Sequence, residues 1–356
     1  MSPFKIEVHP PVSWYFDEAI YKLEEEKLFK NGPGYVGHAL MVPEFGDYQV
    51  LESAAKTKFL IRNESGIELI SNICRHRQAL MLSGKGKTKH VVCPVHKWSY
   101  DMDGTLHNAA LFHEKPCLNL EKYPLQNWKG LLFEGTRDIA KDFAKFEEVA
   151  EIDFSDYAFS NVEVEAYNCN WKTFIEVYQE EYHVNYFHPG LSHFVNCSDI
   201  HFQMEDWFTV QTVGLNRHFE KPGSKAFENF HHLLLDLYRG AMPKHGAVWM
   251  VYYPNLMIEW YPHELVISSV IPHGPEKFTN VMEFYYPKKL IDNRDFKSAA
   301  QQAYQETAKE DEDICKRIHL GRKALYERGE NQIGPYQEPM ESAMRHFHEF
   351  LNRELM

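Results

Sequence analysis

The 356-residue chain has no run of about 18 apolar residues anywhere along it, so no membrane-spanning helix is expected. Its first residues, MSPFKIEVHPPVSWYFDEA, lack a basic stretch leading into an apolar core, which argues against a cleaved export signal. Cysteine is scarce. The six residues, at positions 74, 93, 117, 169, 197 and 315, are too few and too scattered for a disulfide framework, and a reducing cytoplasm is the expected location. Positive charge is short as well: 38 Lys and Arg stand against 51 Asp and Glu, a net charge of -13. Neither nucleic acid nor an anionic membrane surface is therefore the expected partner, because both reward a basic face. Gly84-Lys85-Gly86 lacks the third glycine of a dinucleotide loop and is no P-loop, so no nicotinamide or flavin site is expected. No internal repeat and no low-complexity tract occurs.

What is present is ordinary for a globular protein, 44% hydrophobic and 25% charged residues, enough to bury sizeable cores. Residues 15–31 carry apolar positions Tyr15, Ile20, Leu23 and Leu28 on one stripe, and Gly32-Pro33-Gly34 stops that helix. From about 35 to 135 the period changes to short β-branched and aromatic runs. Asn63-Glu64-Ser65-Gly66 between two of them is a hairpin signal. The charged stretch 138–150 reads as a short helix or linker. Beyond it, strand-like runs at 159–167, 208–213, 248–253, 256–260, 265–271 and 281–286 alternate with helix-like stretches at 170–184, 225–238, 295–328 and 338–353. The expected fold class is α+β: a helical segment over 1–34, an all-β domain over 35–146, and an α+β domain over 147–356 whose antiparallel sheet is flanked by helices.

Two groups of residues carry chemistry. Cys74-Arg75-His76 and Cys93-Pro94-Val95-His96, separated by 16 residues, place two thiolates and two imidazoles at paired short spacings on two loops of the β domain. Such a set holds either one tetrahedral zinc or a Rieske [2Fe–2S] cluster, with two thiolates on one iron and two histidines on the other. The different gaps within the pairs, the turn residues Pro94 and Ser83-Gly84, and the aromatic strand and turn Trp98 to Gly104 favour the cluster. The second group is His183 and His188, five residues apart. On an unbroken helix they would lie about 140° apart and could not share a metal unless the helix ends between them. Asn185 and His188-Pro189 make that ending plausible. Glu180 lies on nearly the same face as His183. A later acidic run, Lys309-Glu310-Asp311-Glu312-Asp313, offers a third ligand. Two histidines and one carboxylate leave three positions open on a non-haem Fe(II).

These residues carry a resemblance. Cys74-Arg75-His76-Arg77 with Cys93-Pro94-Val95-His96-Lys97-Trp98, Asn170-Trp171-Lys172 with Glu180-Glu181-Tyr182-His183 and His188-Pro189, and the segment from Glu310 resemble the Rieske non-haem iron oxygenases over nearly the whole chain. The resemblance implies a terminal oxygenase (alpha) subunit with a Rieske [2Fe–2S] cluster on Cys74, His76, Cys93 and His96. It implies a mononuclear Fe(II) on His183, His188 and Asp311, with Asp313 the alternative third ligand, in a helix-grip catalytic domain. It also implies a homotrimer in which Glu180 bridges His183 to His96 of a neighbouring subunit. Electrons would come from a separate flavin or ferredoxin-type reductase, with Lys85, Lys87, Lys89 and Lys97 as a candidate docking patch. Position 180 is Glu where aromatic-ring dioxygenases carry Asp, and His319 stands where Gln is common. Both departures favour monooxygenation or oxidative demethylation of a small organic molecule over ring cis-dihydroxylation. An electron-transfer protein with a ligand-binding domain is the non-enzymatic alternative. The pocket is expected among residues 200–285, which include Trp207, Phe208, Phe219, Phe227, Leu234, Trp249, Tyr253, Met257 and Trp260, most of them at strand spacing and expected to pack the core. Such walls suit a flat apolar compound or, through cation–π contacts, a quaternary ammonium.

Overall fold

A computed structural model describes residues 8–145, 153–216, 222–239, 243 and 245–356. The chain divides into two compact units: one takes the segment up to Gly32 together with Phe159–Met356, the other Pro33–Ala158. The expected boundary near 146 falls outside the described residues, as does Phe219.

Helix α1 (Glu18–Glu24) runs on as a π-wound turn, Glu25–Lys30. In the second unit, β1 (Tyr35–His38), β10 (Gln126–Trp128) and β11 (Leu131–Phe133) form a three-stranded sheet. A five-stranded sheet is built from β2 (Asp47–Val50), β3 (Lys58–Asn63), β4 (Gly66–Ser71), β5 (Lys85–Lys87) and β9 (Lys122–Tyr123), in the order β5-β2-β3-β4-β9. A second three-stranded sheet holds β6 (His90–Val92), β7 (Ser99–Asp101) and β8 (Leu106–Asn108). The Asn-Glu-Ser-Gly signal is the β3–β4 hairpin: Asn63 pairs with Gly66 across a two-residue turn, and Gly66 takes φ 117°, a conformation that L side chains rarely adopt. Period-2 alternation buries Phe59, Ile61 and Ile70 with Trp98 and Tyr100 in one core that also takes in Cys74 and Cys93. The short helix α2 (Ile139–Phe143) lies in the stretch expected to be helix or linker.

The first unit is a seven-stranded antiparallel sheet covered by helices. Its strands are β12 (Tyr157–Tyr167), β13 (Val195–Glu205), β14 (Phe208–Leu215), β15 (Ala247–Tyr252), β16 (Leu256–Tyr261), β17 (Glu264–Gly274) and β18 (Lys277–Pro287). Their order is β12-β18-β17-β16-β15-β14-β13. Among the described residues six helices follow the chain around it: α3 (Trp171–Tyr178), α4 (Val184–Phe187), α5 (Pro189–Phe194), α6 (Lys225–Tyr238), the 34-residue α7 (Arg294–Glu327) and α8 (Ser342–Leu355). Side chains Val213, Trp249, Val266, Met282 and Phe284 from one sheet face pack against Phe194, Phe227, Phe230 and Ala300 from the helices. This α+β arrangement is the expected one.

Three local features place the functional elements. Asn170 caps α3 by accepting from Lys172 N at 2.9 Å, while its own amide donates to the carbonyls of Tyr15 and Pro275. Glu176 of α3 is fully buried and receives Arg322 Nη1 from α7 at 2.6 Å, His348 Nε2 from α8 at 3.0 Å, and the Tyr15 hydroxyl. Burial alone would push its carboxyl up. The Arg322 guanidinium and the His348 and Tyr15 hydrogen bonds overcome this and hold it at about 2, so α3, α7 and α8 are locked by one charged centre. Gly190, at the start of α5, permits the close approach of α6, since a Cβ there would sit 2.1 Å from Phe227 Cδ2.

Candidate functional site

The first group of predicted residues lies at the tips of two loops with one and the same backbone form. Cys74 N donates to the carbonyl of Ala79 and accepts, through its own carbonyl, from Gln78 N. Cys93 N donates to Trp98 O and its carbonyl accepts from Lys97 N, at distances of 2.8 to 3.1 Å throughout. Gln78 and Lys97, each four residues past its cysteine, both adopt a left-handed conformation, φ 55° and 60°. Sequence reasoning did not foresee this repeat, because neither left-handed residue is a glycine. Both cysteines are buried at 1% exposure, while the histidines stand further out, their ring centroids 4.6 Å apart and His76 stacked on Trp98. His76 Nδ1 is buried without a hydrogen-bond partner among the described residues. Two buried thiols beneath two imidazoles, one with an orphaned ring nitrogen, suit a [2Fe–2S] cluster better than a single zinc, which would draw four ligands onto one point.

Tyr100 is a further contributor. Its hydroxyl accepts from Arg75 N at 3.1 Å and lies 3.7 Å from Cys74 Sγ. Hydrogen bonds to sulfur stabilise the reduced, more negative cluster. Tyr100→Phe is therefore expected to lower the cluster midpoint by on the order of 50 mV, the one-electron equivalent of a hydrogen bond of about 1 kcal/mol. A potentiometric titration of the purified variant checks this, and an unchanged midpoint refutes it. Of the lysines proposed as a docking patch, Lys87 spends its charge on Glu44, 2.7 Å away.

The second group comes together on three helices. The helix expected over 170–184 ends earlier, at Tyr178, with Gln179 as its C-cap. His183 then opens the single turn α4, and His188 closes it with φ -111°, ψ 73° before Pro189 starts α5. These breaks turn the two imidazoles toward each other: His183 Nε2 and His188 Nε2 are 3.0 Å apart. Asp311, on α7, brings Oδ1 within 2.9 Å of His188 Nε2 and 3.5 Å of His183 Nε2. Asp313 points instead to solvent and pairs with Arg317 at 2.7 Å. Burial alone would lower the His183 imidazole, but hydrogen bonds to Asp311 and Glu180 carry it up to about 10. The site thus favours positive charge strongly, and its donors are those of a two-histidine, one-carboxylate iron site.

Each imidazole is oriented by a second carboxylate. Glu180 Oε1 lies 2.5 Å from His183 Nδ1, and its other oxygen accepts from His183 N at 3.1 Å. Glu310 Oε2 lies 2.7 Å from His188 Nδ1. A carboxylate can only accept, so each Nδ1 carries a proton, and Nε2 is the nitrogen each ring offers to a metal beside Asp311. Glu310 was visible in sequence only as part of an acidic run. His319, at the position noted as unusual, is buried and holds Glu276 at 3.1 Å.

His183, His188 and Asp311 line a cavity of about 110 Å³. Of the expected pocket residues, Phe227, Trp249 and Met257 line it, whereas Trp207 packs on Phe350 and Tyr253 on His346 and Phe350. Sequence reasoning missed Tyr178, Glu259, Tyr261, Glu264 and Tyr304, which also line it. Strand parity gives the reason for three of these. Trp249 faces Glu259, Glu259 faces Val266 and Tyr261 faces Glu264 across the ladder, so all share one sheet face.

Comparison with known proteins identifies the family. The Rieske [2Fe-2S] domain family matches residues 34–124, and the family of the ring hydroxylating alpha subunit (catalytic domain) matches residues 143–356. The chain is 51% identical over 348 residues to a putrescine 2-hydroxylase of Ralstonia nicotianae, covering 98% of this chain and 95% of that one. It is 25% identical to the chloroplastic choline monooxygenase of Beta vulgaris, covering 97% of this chain and 77% of the other. Among solved structures, a quaternary ammonium Rieske monooxygenase that oxidises carnitine shares the fold with a TM-score of 0.77 at 18% identity, over 97% and 94% of the two chains. The chain therefore belongs to the Rieske non-haem iron oxygenases, as a terminal oxygenase component that carries a Rieske [2Fe–2S] cluster and a mononuclear iron and uses O2 with reductase electrons on a small organic substrate.

Proposed function

We propose that this oxygenase hydroxylates a methylene carbon of a small aliphatic diamine, putrescine itself by likeness to the 51% identical relative. One observation carries the reading: the two-histidine, one-carboxylate group opens into a cavity of about 110 Å³ that no lysine or arginine lines among the described residues. An apolar cavity of about 150 Å³ holds a benzene, so this smaller one suits a slim ligand of a few heavy atoms, such as putrescine, and not a fused-ring arene. A cavity that small, with carboxylates but neither lysine nor arginine in its described lining, favours a short cationic chain over a polycyclic arene.

In this reading Cys74, His76, Cys93 and His96 hold the cluster, and His183, His188 and Asp311 hold the iron. When bound, these centres supply single electrons and O2 activation respectively. The chain's own residues prepare the ground. Glu180 and Glu310 keep each imidazole in one tautomer, with Nε2 free to ligate. Tyr178, Phe194, Phe227 and Trp249 give the cavity an aromatic wall. In the overall reaction one oxygen atom enters a C–H bond and the other leaves as water, with two electrons from the reductase and two protons consumed. A homotrimer in which Glu180 links His183 to His96 of the partner subunit, served by a flavin or ferredoxin-type reductase in the cytoplasm, completes the proposal. The relative whose structure is known with inter-subunit electron transfer supports that arrangement.

The test is turnover of putrescine by the holoenzyme with a surrogate reductase under ¹⁸O2. The expected product is a monohydroxylated diamine carrying one labelled oxygen. Two labelled oxygens in the product, or O2 uptake with no hydroxylated amine, would overturn the reading.

A further inference from the structure

We infer that Glu259 and Glu264 form a two-carboxylate clamp on the sheet floor of the cavity, holding the two ammonium ends of an α,ω-diamine. The inference rests on the amine-hydroxylase reading above and goes beyond it, because it names the groups that select two charges over one.

Glu259, on β16, accepts from the hydroxyls of Tyr261 and Tyr304 at 3.2 and 3.3 Å, and Trp249 Nε1 in turn donates to the Tyr261 hydroxyl at 3.0 Å. Glu264, on β17, is buried at 4% exposure, and its Oε1 has no hydrogen-bond partner among the described residues. Neither carboxylate takes part in an ion pair among the described residues, and both line the cavity that His183, His188 and Asp311 also line. Glu264 is buried and Glu259 half-buried, and a carboxylate withdrawn from water without a counter-charge is costly. Burial, helped by the charge of Asp311 and opposed by the hydrogen bonds from Tyr261 and Tyr304, lifts Glu259 to about 7. Burial and the neighbouring Glu259 lift Glu264 to about 8.

Register fixes the spacing. Glu259 stands opposite Val266 and Glu264 opposite Tyr261, so the two glutamates are diagonal neighbours on one sheet face, roughly 7–8 Å apart at the backbone. A four-carbon diamine held nearly extended spans a comparable distance between its nitrogens. The rings of Trp249, Tyr261 and Tyr304 flank the carboxylates and favour cations on their faces. With both ends held at the sheet, the methylene carbons are the part of the ligand left to face the rest of the cavity.

Binding, not turnover, tests the clamp. Oxygen-free, oxidised holoenzyme is titrated calorimetrically with 1,4-diaminobutane and 1-aminobutane. Wild type is expected to bind the diamine about tenfold or more tighter than the monoamine, the effect of one additional charged hydrogen-bonded pair. Glu264→Gln and Glu259→Gln, near-isosteric changes, should each bring that ratio close to one while iron content and cluster absorption stay unchanged. Variants that keep the wild-type ratio overturn the clamp and leave the amine reading standing. Wild type that binds no amine at all overturns both. Should a variant fail to fold, the wild-type series from 1,3-diaminopropane to 1,6-diaminohexane decides: an affinity maximum at about four carbons supports the two fixed anchors, and a flat series refutes them.

Discussion

Asp311→Ala is expected to lower iron from about three atoms per chain to about two, abolish hydroxylation, and leave the visible absorption of the cluster as in wild type. The three donor atoms meet within one small volume, and Asp311 Oδ1 is the only anionic one, 2.9 Å from His188 Nε2. Removing it leaves two neutral imidazoles, a much weaker site for a hard divalent iron. Loss of an orienting partner alone costs about 10- to 100-fold in metal affinity or activity, so loss of a ligand should exceed that. Asp313→Ala is the matched control. Asp313 is half-exposed and paired with Arg317 one turn along α7, an interaction worth about 0.3–0.5 kcal/mol, and its removal should change neither iron nor turnover. Iron analysis with absorption spectra of both variants checks the pair. Equal iron loss in the two, or none in Asp311→Ala, would refute the assignment.

The contrast between these aspartates also marks what the sequence can carry. Candidate ligands could be picked out where the backbone dictates their spacing. Cys74 to His76 and Cys93 to His96 sit on loops whose cysteine-to-ligand gaps are fixed by a turn, and the hairpin at Asn63–Gly66 is written in its turn residues. The long helices α6 and α7 were also legible, with capping side chains Ser224 and Asn293 accepting from Phe227 N and Phe296 N. Two elements were not. Strand β13, Val195–Glu205, lies at a sheet edge with most positions exposed or half-exposed, so no apolar alternation announces it. The break at Gln179 was placed too late because Glu180-Glu181-Tyr182 has good helix formers and no proline or glycine. Tertiary contacts, among them Glu181 N on the carbonyl of Met340, override that propensity. The cavity floor escaped for a different reason. A search for aromatic residues selects Trp207 and Tyr253, whereas strand parity selects Glu259, Tyr261 and Glu264, and parity can be applied only once the register is known.

Glu180→Gln is expected to leave about three irons per chain and a cluster that dithionite reduces normally, yet to abolish turnover. In the native site the two carboxylate oxygens have separate tasks: Oε1 meets His183 Nδ1 at 2.5 Å and Oε2 meets the His183 backbone N–H at 3.1 Å. Glutamine can keep one of these, but its amide then presents a donor to a donor. The negative charge that would serve His96 of the partner subunit is gone as well. Glu310→Gln separates the two effects. Glu310 orients His188 as Glu180 orients His183, 2.7 Å from its Nδ1, so if orientation is all that either carboxylate does, the two variants should lose about the same 10- to 100-fold. If Glu180 also links the subunits, Glu180→Gln should fall far below Glu310→Gln in multiple turnover. In a single turnover that starts with the cluster already reduced, Glu180→Gln should fail to reoxidise the cluster on adding substrate and O2, whereas Glu310→Gln should reoxidise it slowly. Parallel losses in both assays would reduce Glu180 to an orienting residue, and normal turnover in Glu180→Gln would remove it from the mechanism.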